Sequence, residues 1–321
     1  MYDKIRSPIE SDFAAVNAFV ISQLYSEVDL VENIGQYIVD AGGKRMRPIV
    51  TLLSARSCGF QGGDHIKLAA VIEFIHTATL LHDDVVDMST MRRGRPTANS
   101  RWNNPSSVLV GDFIYSRAFQ ILVSLNNQDI MAVMADTTNK IAEGEVLQLI
   151  NQHNPEITEE GYLRVIRHKT AILFQAAAST GAIMAGTDAE TIAAMGNYGL
   201  HVGNAFQLID DVLDYSGKSD LLGKNIGDDL AEGKPTLPLI YSMEHSSPEE
   251  SNLIKDALTN GGIDSLNKII DIVTSSGGLA YTRQMALDEA DKAKSCLAGL
   301  PPTEFRDSLS SLADFAVQRI N

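Results

Sequence analysis

The sequence predicts an all-α fold, organised as a single domain over residues 1–321. Apolar residues recur at spacings of three and four along most of the chain, as they do on one face of a helix. No convincing run alternates apolar and polar residues as a half-buried strand would. No loop-like stretch is long enough to separate two domains, so one helical domain is the simplest organisation.

The predicted helices follow one another across short breaks. They cover residues 11–31, 47–57, 64–87, 106–125, 128–150, 158–185 and 188–215, and several more helices follow. The breaks contain the helix-breaking stretches Gly42-Gly43, Gly62-Gly63, Asn103-Asn104-Pro105, Asn154-Pro155 and Gly261-Gly262. Short polar side chains at helix starts satisfy backbone N–H groups, and the predicted N-caps are Asp64, Ser106, Thr158 and Asp188.

The composition excludes several classes of function. The chain has 41 acidic and 26 basic residues and a formal net charge of −15, and such a surface repels nucleic acid and anionic lipid. No apolar run has transmembrane length and the N-terminal stretch lacks a signal-peptide core, so we expect no stable membrane insertion. Cys58 and Cys296 have no Cys or His companions, and a reducing cytoplasm is the expected compartment.

Three aspartates in the pattern DDxxD end the predicted helix 64–87. Asp83 and Asp87 share a helical face, whereas Asp84 lies about 100° round the axis. Carboxylates one turn apart repel each other unless a cation lies between them, and Mg²⁺ prefers such oxygen ligands together with substrate phosphates. The preceding helix is apolar nearly all round, which favours a metal site over a solvated helix end. His76, two turns before Asp83, fits either a donor into this site or a hydrogen-bonded core histidine.

The DDxxD pattern recurs in FQLIDDVLDY, where Asp210, Asp211 and Asp214 again follow an apolar helical run. Basic residues follow each motif, and they are Arg92, Arg93, Arg95, Lys224 and Lys234. Guanidinium and ammonium groups beside a metal cluster indicate a polyphosphate held from both sides. Two such motifs together therefore predict a metal–diphosphate site.

Two further stretches carry cations that indicate anion binding. In AGGKRMRP, Lys44, Arg45 and Arg47 precede a helix start, where backbone N–H groups favour anions; a basic surface turn is the alternative. In HKTAILF, Lys169 lies in an apolar helix. A buried lysine needs a counter-charge, and a diphosphate would supply one.

The chain resembles the trans-isoprenyl diphosphate synthases in stretches that follow the family's order: GGKRMRP, LLHDDVVD with MRRGRPT, VGDFIYSRAF, HKTAILF, FQLIDDVLDY and GKNIGDDLAEGKPTLPLI. The resemblance runs from about Ile34 to the end of the sequence and shows no departure at a motif position. It is closest to the bacterial long-chain members, the octaprenyl diphosphate synthases. It implies a bundle of antiparallel helices around a central cavity, and a homodimer.

The resemblance also implies a role for each motif residue. The diphosphate of isopentenyl diphosphate is expected to be bound by Lys44, Arg47, His76 and Arg93. The allylic primer is expected to be farnesyl diphosphate, and Arg92 is expected to bind the diphosphate of this primer. The pocket in which the allylic carbon ionises is expected to be lined by Lys169, Thr170 and Gln207, and the loop that closes over it is expected to contribute Lys224 and Lys234.

Magnesium and the catalytic residues are part of the same expectation. About three Mg²⁺ ions are expected per active site, held by Asp83, Asp84, Asp87, Asp210, Asp211 and Asp214. The expected catalytic residues are Asp83, Asp84, Asp87, Lys169, Asp210 and Asp211.

Product length is expected to depend on two small residues one helical turn before the first motif, Ala78 and Thr79. In short-chain members of the family a bulky aromatic residue blocks the growing tail here, so a longer tunnel is expected. Its candidate floor residues are Ile75, Ile121, Leu122 and Met134. Close helix packing is the alternative reason for small side chains. The expected product is octaprenyl diphosphate, which supplies the side chain of a quinone such as ubiquinone.

Other functions stay open at this point. A shorter-chain synthase making geranylgeranyl or farnesyl diphosphate would differ only in tunnel depth. A class I terpene cyclase also uses aspartate-rich Mg²⁺ sites, but it would lack the second DDxxD and the site around Lys44 and Arg47. A non-catalytic partner subunit would be expected to lose one aspartate motif. An inactive acidic scaffold leaves the paired arginines and Lys169 unexplained.

Overall fold

The computed structural model describes residues 1–216, 226–262 and 265–318. The chain forms two compact units. The first consists of Met1–Thr138, Leu173–Gly199 and Lys294–Leu312, and the second of Asn139–Ile172, Leu200–Ala293 and Ala313–Asn321. The prediction of a single domain over residues 1–321 stays a prediction.

Helices make up most of the described chain. In order they are α1 (Tyr2–Arg6), α2 (Glu10–Gln23), α3 (Asp29–Asp40), α4 (Met46–Ser57), α5 (Asp64–Val86), α6 (Ala98–Arg101), α7 (Asn104–Ser124), α8 (Gln128–Asn151), α9 (Glu159–Ile166), α10 (Ile172–Met184), α11 (Ala189–Tyr215), α12 (Asp228–Ala231), α13 (Leu237–His245), α14 (Pro248–Asn260), α15 (Leu266–Ser275), α16 (Gly278–Cys296) and α17 (Glu304–Val317). A 3₁₀ turn, Ser7–Ile9, follows α1, and a π-helical turn, Arg167–Ala171, lies between α9 and α10. Within the described ranges, no helix is both long and apolar enough to cross a membrane.

Helix α5 is the centre of the first unit. It packs against α2, α4 and α7, and its apolar residues from Leu68 to Leu81 are almost all fully buried. The hydroxyl of Ser107 on α7 donates to the carbonyl of Leu81 at 2.9 Å, which fixes the two helices side by side. The nearly all-round apolar sequence of α5 therefore leads to the buried position that it predicted.

A short β-hairpin that the sequence did not predict follows α5. Strands β1 (Met91–Arg92) and β2 (Arg95–Pro96) pair antiparallel, with Arg92 opposite Arg95. Arg93 and Gly94 form the two-residue turn with φ values of 51° and 73°, as a type I′ turn requires. Strands of two residues are too short for an alternating pattern, so sequence periodicity gave no signal for them.

Two apolar clusters lie among the described residues of the second unit. Side chains from α9, α11, α13 and α16 form one cluster around Leu208 and Ile209. Tyr215 of α11 and side chains from α12 to α15 form another, which includes Ile254 and Ile269. Both clusters contain residues that flank the second aspartate motif on α11, so the motif lies on a well-packed helix.

The helix boundaries differ from the predicted ones in a few places. The predicted helix 11–31 is interrupted, because the chain turns after Gln23 and the Ser26 hydroxyl accepts the Val28 N–H at 3.1 Å. Thr158 and Asp188 cap helices as predicted, since their side chains accept the N–H groups of residues 161 and 191. Asn103 takes the capping role predicted for Ser106, and Gly63 takes that predicted for Asp64. Pro105 lies in the first turn of α7, where its missing N–H has no helical acceptor.

Replacing Asp12 with alanine is expected to lower the free energy of unfolding by about 3 kcal/mol. Asp12 accepts two hydrogen bonds from Arg56, at 2.8 and 3.0 Å, and lies 2.9 Å from the fully buried His65. Burial alone would raise the pKa of Asp12, but these partners hold it below its usual value. The stabilisation is therefore present at neutral pH and is lost as the pH falls below about 4.

Urea denaturation at pH 7 and pH 3 measures this effect. The matched control is Glu10→Ala, which removes an exposed carboxylate 2.8 Å from Arg6 and is expected to change stability by about 0.5 kcal/mol. Equal losses in the two variants would contradict the assignment of Asp12 as a buried cross-link.

Candidate active site

The first aspartate motif lies at the C-terminal end of α5, as the sequence predicts. Asp83 and Asp87 are partly accessible, whereas Asp84 is fully buried. Arg92 donates to Oδ1 of Asp84 through Nε at 2.8 Å and lies 2.7 Å from it through Nη2. Burial raises the pKa of Asp84, and the Arg92 charge opposes that rise. The residue rotated round the helix axis is therefore the one that points inward.

The backbone at the end of α5 is held by side chains that the sequence gave no reason to single out. Asn99 donates from Nδ2 to the carbonyl oxygens of Asp84, at 3.1 Å, and of Ser89, at 3.3 Å. The hydroxyl of Thr97 donates to the Ser89 carbonyl at 2.8 Å. These bonds satisfy carbonyl groups that a helix end leaves without partners, and so they fix the backbone that carries the motif.

A group of basic side chains, which we call the arginine cluster, gathers beside α5 and consists of Arg45, Arg47, Arg92 and Arg93. Arg47 Nη1 lies 3.3 Å from Nε2 of His76, and the Arg47 guanidinium stacks 4.4 Å from the ring centre of Phe174. Because a guanidinium only donates, Nε2 of His76 accepts and its proton lies on Nδ1. Burial, followed by the charges of Arg47 and Arg93, holds the pKa of His76 well below its usual value, so the imidazole is neutral.

The glycine pair of AGGKRMRP allows this loop to approach Arg93 closely. A Cβ on Gly43 would lie 2.7 Å from Nη1 of Arg93, and Gly43 has a φ of 139° that other residues rarely adopt. Lys44 follows, and its carbonyl accepts the hydroxyl of Tyr2 at 2.6 Å. The predicted ligands of isopentenyl diphosphate, Lys44, Arg47, His76 and Arg93, thus all lie in the first unit on this loop, α4, α5 and the hairpin.

One acidic residue of this region was missed by sequence reasoning. Glu73 lies on α5 one turn before His76, and its Oε1 is 3.4 Å from Nη1 of Arg45. Burial raises the pKa of Glu73, while the charges of Arg45, Arg47 and Arg93 lower it. A glutamate at an i, i+3 spacing from the histidine was the available signal.

The second aspartate motif ends α11 in the second unit, and its middle aspartate is bonded on both oxygens. Tyr162 donates to Oδ2 of Asp211 at 2.5 Å, and Gln207 donates from Nε2 to Oδ1 at 2.9 Å. The hydroxyl of Thr170 donates in turn to Oε1 of Gln207 at 3.0 Å. The predicted residues Thr170, Gln207 and Asp211 therefore form one chain of hydrogen bonds, to which Tyr162 is the unpredicted addition.

Burial dominates the electrostatics of this chain. It raises the pKa of Asp211 to about 8, assisted by the charge of Asp229 and opposed by the hydrogen bonds from Tyr162 and Gln207. Burial and the neighbouring Asp211 also hold the pKa of the Tyr162 hydroxyl well above its usual value. The tyrosine therefore stays protonated and remains a donor.

Lys169 lies in the π-helical turn and has a protein counter-charge. Its Nζ is 2.7 Å from Oε2 of Glu145 on α8. A Cβ on Gly144 would lie 2.7 Å from the backbone nitrogen of Lys169, so the glycine allows α8 and the π-helical turn to pack closely. Single π-helical turns are frequent at functional sites.

The third aspartate and the following loop are also tied together. Asp214 is buried, and it accepts the N–H of Gly227 through its carbonyl at 3.0 Å and that of Asp229 through Oδ2 at 3.3 Å. Lys234 forms an ion pair with Glu232. Lys224 lies outside the described residues.

The donor set fits a divalent cation. Oδ2 of Asp84 is buried and has no hydrogen-bond partner among the described residues, which is rare for a carboxylate oxygen. A cation or its bound water would satisfy this oxygen. Among those residues, no group of three or more Asp, Glu, His or Cys side chains lies close enough to hold a metal ion by itself. Magnesium is usually held by one or two carboxylates together with water and substrate phosphates.

The comparisons with known proteins decide the family. A model of the polyprenyl synthetase family matches residues 28–273. The chain is 52% identical over 318 residues to octaprenyl diphosphate synthase of Escherichia coli (strain K12), a match that covers 99% of this chain and 98% of that protein. The chain belongs to the polyprenyl synthetase family.

Two solved structures of this family are similar to the whole chain. The polyprenyl synthase of Caulobacter crescentus CB15, crystallised with calcium and isoprenyl diphosphate, matches with a TM-score of 0.97 and 43% identity, over 100% of this chain and 98% of that one. The decaprenyl diphosphate synthase of Rhodobacter capsulatus matches with a TM-score of 0.95 and 44% identity, over 100% of both chains.

Family membership confirms the predicted resemblance, the all-α isoprenoid synthase fold and the prediction of a prenyltransferase. The identity to octaprenyl diphosphate synthases supports a long-chain trans-prenyltransferase over the shorter-chain alternative. The roles predicted for individual side chains, including metal binding and the chain-length roles of Ala78 and Thr79, stay predictions.

Replacing Tyr162 with phenylalanine is expected to lower the free energy of unfolding by about 2 kcal/mol, because a buried carboxylate oxygen loses its donor. The hydroxyl of Tyr162 is part of the hydrogen-bond chain that positions Asp211 and Gln207. Its loss is therefore also expected to lower kcat at least tenfold. Urea denaturation and steady-state kinetics measure the two effects.

The matched control is Tyr281→Phe, which removes a hydroxyl bonded to Glu159 at 2.9 Å at a half-buried position. It is expected to cost about 0.5 kcal/mol and to leave kcat unchanged. A Tyr162 variant with normal turnover would show that the chain from Tyr162 to Thr170 has no part in positioning.

Proposed function

We propose that this chain adds isopentenyl diphosphate units to an allylic diphosphate, with farnesyl diphosphate as primer and octaprenyl diphosphate as product. The observation that carries the proposal is that one buried helix, α5, bears a neutral histidine and three aspartates, and that His76 and Asp84 of this set contact guanidinium groups of the arginine cluster. Such a set of side chains suits a diphosphate and its metal ions. The 52% identity to an octaprenyl diphosphate synthase supports the same substrates and product.

Lys44, Arg47, His76 and Arg93 are proposed to bind the diphosphate of isopentenyl diphosphate. The arginine forks donate to phosphate oxygens in pairs, and His76 donates through Nδ1 while Arg47 holds its other nitrogen. Stacking on Phe174 fixes the plane of the Arg47 guanidinium. The nucleophilic double bond is thereby held in one orientation, which removes the entropic cost of bringing two substrates together.

The aspartates are proposed to bind about three Mg²⁺ ions, with Asp83, Asp84, Asp87 and Asp210 as the main ligands. Bound Mg²⁺ neutralises the charge that develops on the departing pyrophosphate. Asp211, with both oxygens bonded, is proposed to act mainly by holding Gln207 and Thr170 in position. Asp214 is proposed to act mainly by anchoring the loop of Asp229.

Arg92, Lys169, Lys224 and Lys234 are proposed to add positive charge around the allylic diphosphate. When its C–O bond breaks, the electron pair leaves with pyrophosphate and an allylic cation remains. The double bond of isopentenyl diphosphate then attacks this cation, and loss of a proton to the departing pyrophosphate restores a double bond. The cations act mainly on charge that appears in the transition state, so they raise turnover more than substrate affinity.

The exposed apolar residues of α7 and α8 favour a homodimer formed through these helices. Helix α7 exposes Leu109 and Val123, each about two-thirds accessible, and α8 exposes Leu149 and Ile150. The enzyme is proposed to act in the cytoplasm and to supply the side chain of a quinone such as ubiquinone.

The proposal is tested by incubating the purified protein with farnesyl diphosphate, labelled isopentenyl diphosphate and Mg²⁺. A ladder of products that ends near eight isoprene units is expected. Asp83→Asn is expected to lower kcat by about a thousandfold, because Asp83 acts on charge that develops in the transition state.

The matched control is Asp64→Asn, at the exposed start of the same helix, where the carboxylate is paired with Lys67. This variant is expected to keep full activity. No incorporation by the folded wild-type protein would refute the proposed function, and a cyclic hydrocarbon product would identify a terpene cyclase instead.

Replacing Ala78 with tyrosine is expected to shorten the product to about four isoprene units or fewer. Ala78 is fully buried on α5 one turn before the motif, so a large ring there would occupy the proposed path of the tail. Chromatographic sizing of the product measures the effect. Ala78→Ser, which hardly changes the volume, should retain the long product, and circular dichroism establishes that the tyrosine variant is folded. An unchanged product length in the folded tyrosine variant would exclude this path for the tail.

A further inference from the structure

We propose that Glu73, through its ion pair with Arg45, positions the arginine cluster for isopentenyl diphosphate without touching the substrate. This inference rests on the proposed function and deepens it. It assigns Arg45 and Glu73 a role that differs from the substrate-binding role of Arg47 and Arg93. Glu73 is a positioning residue in this view, because it acts only through the arginines.

The geometry of the pair supports this role. Nη1 of Arg45 lies 3.4 Å from Oε1 of Glu73, and only 12% of each side chain is accessible to solvent. Nη2 of Arg45 also approaches the carbonyl of Val39 at 3.4 Å. Both ends of the Arg45 guanidinium are therefore directed into the protein rather than toward a substrate phosphate.

The backbone of Arg45 is held in a conformation that requires an external cause. Its φ of 42° and ψ of 43° are left-handed, at the residue that directly precedes α4. A non-glycine residue adopts this region only where its surroundings compensate for the strain. The ion pair with Glu73 and the contact with the Val39 carbonyl hold the side chain, and Arg47 follows two residues later in the first turn of α4.

The same loop is tied to the hairpin on its other side. A Cβ on Gly43 would meet the guanidinium of Arg93, so the loop lies close to this group and a movement of the loop would displace Arg93 as well as Arg47. Glu73 and His76 lie on one face of α5, and His76 contacts Arg47. Glu73 therefore lies beside the group that includes Arg47, His76 and Arg93, which are three of the four predicted ligands of isopentenyl diphosphate.

The charge of Glu73 compensates part of the positive charge of the arginine cluster. Burial lowers the pKa of Arg93, and repulsion from the neighbouring guanidinium groups of Arg92 and Arg45 lowers it further. Glu73 is the carboxylate that opposes this effect on Arg93 most strongly. Removing it leaves Arg45 without its carboxylate, so Arg45 would repel Arg47 and Arg93 and displace them.

Removing Arg45 alone has the converse effect. The uncompensated carboxylate of Glu73 would then compete with the diphosphate for Arg47 and Arg93. Removing both partners restores the balance of charge, since one positive and one negative group are lost together. Deleting an entire buried pair is therefore far less disruptive than deleting one member. The proposal therefore predicts that each single variant binds isopentenyl diphosphate more weakly and that the double variant regains most of the lost affinity.

The test measures KM for isopentenyl diphosphate, KM for farnesyl diphosphate and kcat for the variants Glu73→Gln, Arg45→Gln and the double variant. Each single substitution is expected to raise KM for isopentenyl diphosphate at least tenfold, with the other two parameters within about threefold of wild type. The double variant is expected to return KM for isopentenyl diphosphate to within about threefold. Glu10→Gln, which removes an exposed carboxylate paired with Arg6, is the control and should change nothing.

Several results would overturn the proposal. They are an unchanged KM in Glu73→Gln, an equal rise in KM for both substrates, and a double variant as impaired as Arg45→Gln, which would identify Arg45 as a direct ligand. Calorimetric titration of each folded variant with isopentenyl diphosphate gives the same comparison without turnover. An inactive wild-type protein would instead refute the proposed function.

Discussion

The pairing of buried cations with internal carboxylates is the constraint on which the rest of the structure depends. A charged group removed from water is stable only if an opposite charge and hydrogen bonds replace its hydration. Four cations near the two motifs have such partners, in the pairs Arg45–Glu73, Arg92–Asp84, Lys169–Glu145 and Lys234–Glu232. These cations can therefore be buried without a bound anion.

The same need to compensate a buried charge also explains why the aspartates within each motif are not equivalent. At the spacing DDxxD the middle aspartate is rotated away from the other two, and in both motifs it is buried and bonded within the protein. Asp84 is held by Arg92 and Asp211 by Tyr162 and Gln207. The second aspartate of each motif thus bonds to neighbouring side chains of the protein, whereas the first aspartates, Asp83 and Asp210, keep contact with solvent.

Irregular backbone directs several of the charged side chains. Arg45 and Arg93 have left-handed φ values, and Lys169 lies in a π-helical turn. A regular helix would rotate these side chains to other directions, so local departures from regularity are part of how the site is built. Glycines supply the space that such departures need, as Gly43 does for Arg93 and Gly144 for the π-helical turn.

The sequence by itself determined the helical fold, the position of both motifs at helix ends and the rotation of Asp84 away from the face that Asp83 and Asp87 share. Those features depend on interactions between residues a few positions apart, and spacing reports such interactions directly. It also identified the family, because several motifs occur in order along one chain.

Only the tertiary structure decided which partners hold the charged residues. Tyr162 and Asp211 are 49 positions apart, and Lys169 and Glu145 are 24 apart, so no local pattern joins them. Glu73 follows the helical period of α5 like any other residue, and its place among the arginines depends on a loop and a hairpin that reach it from elsewhere in the chain. Long-range contacts arise from packing, and packing is the part of the physics that a single sequence does not display.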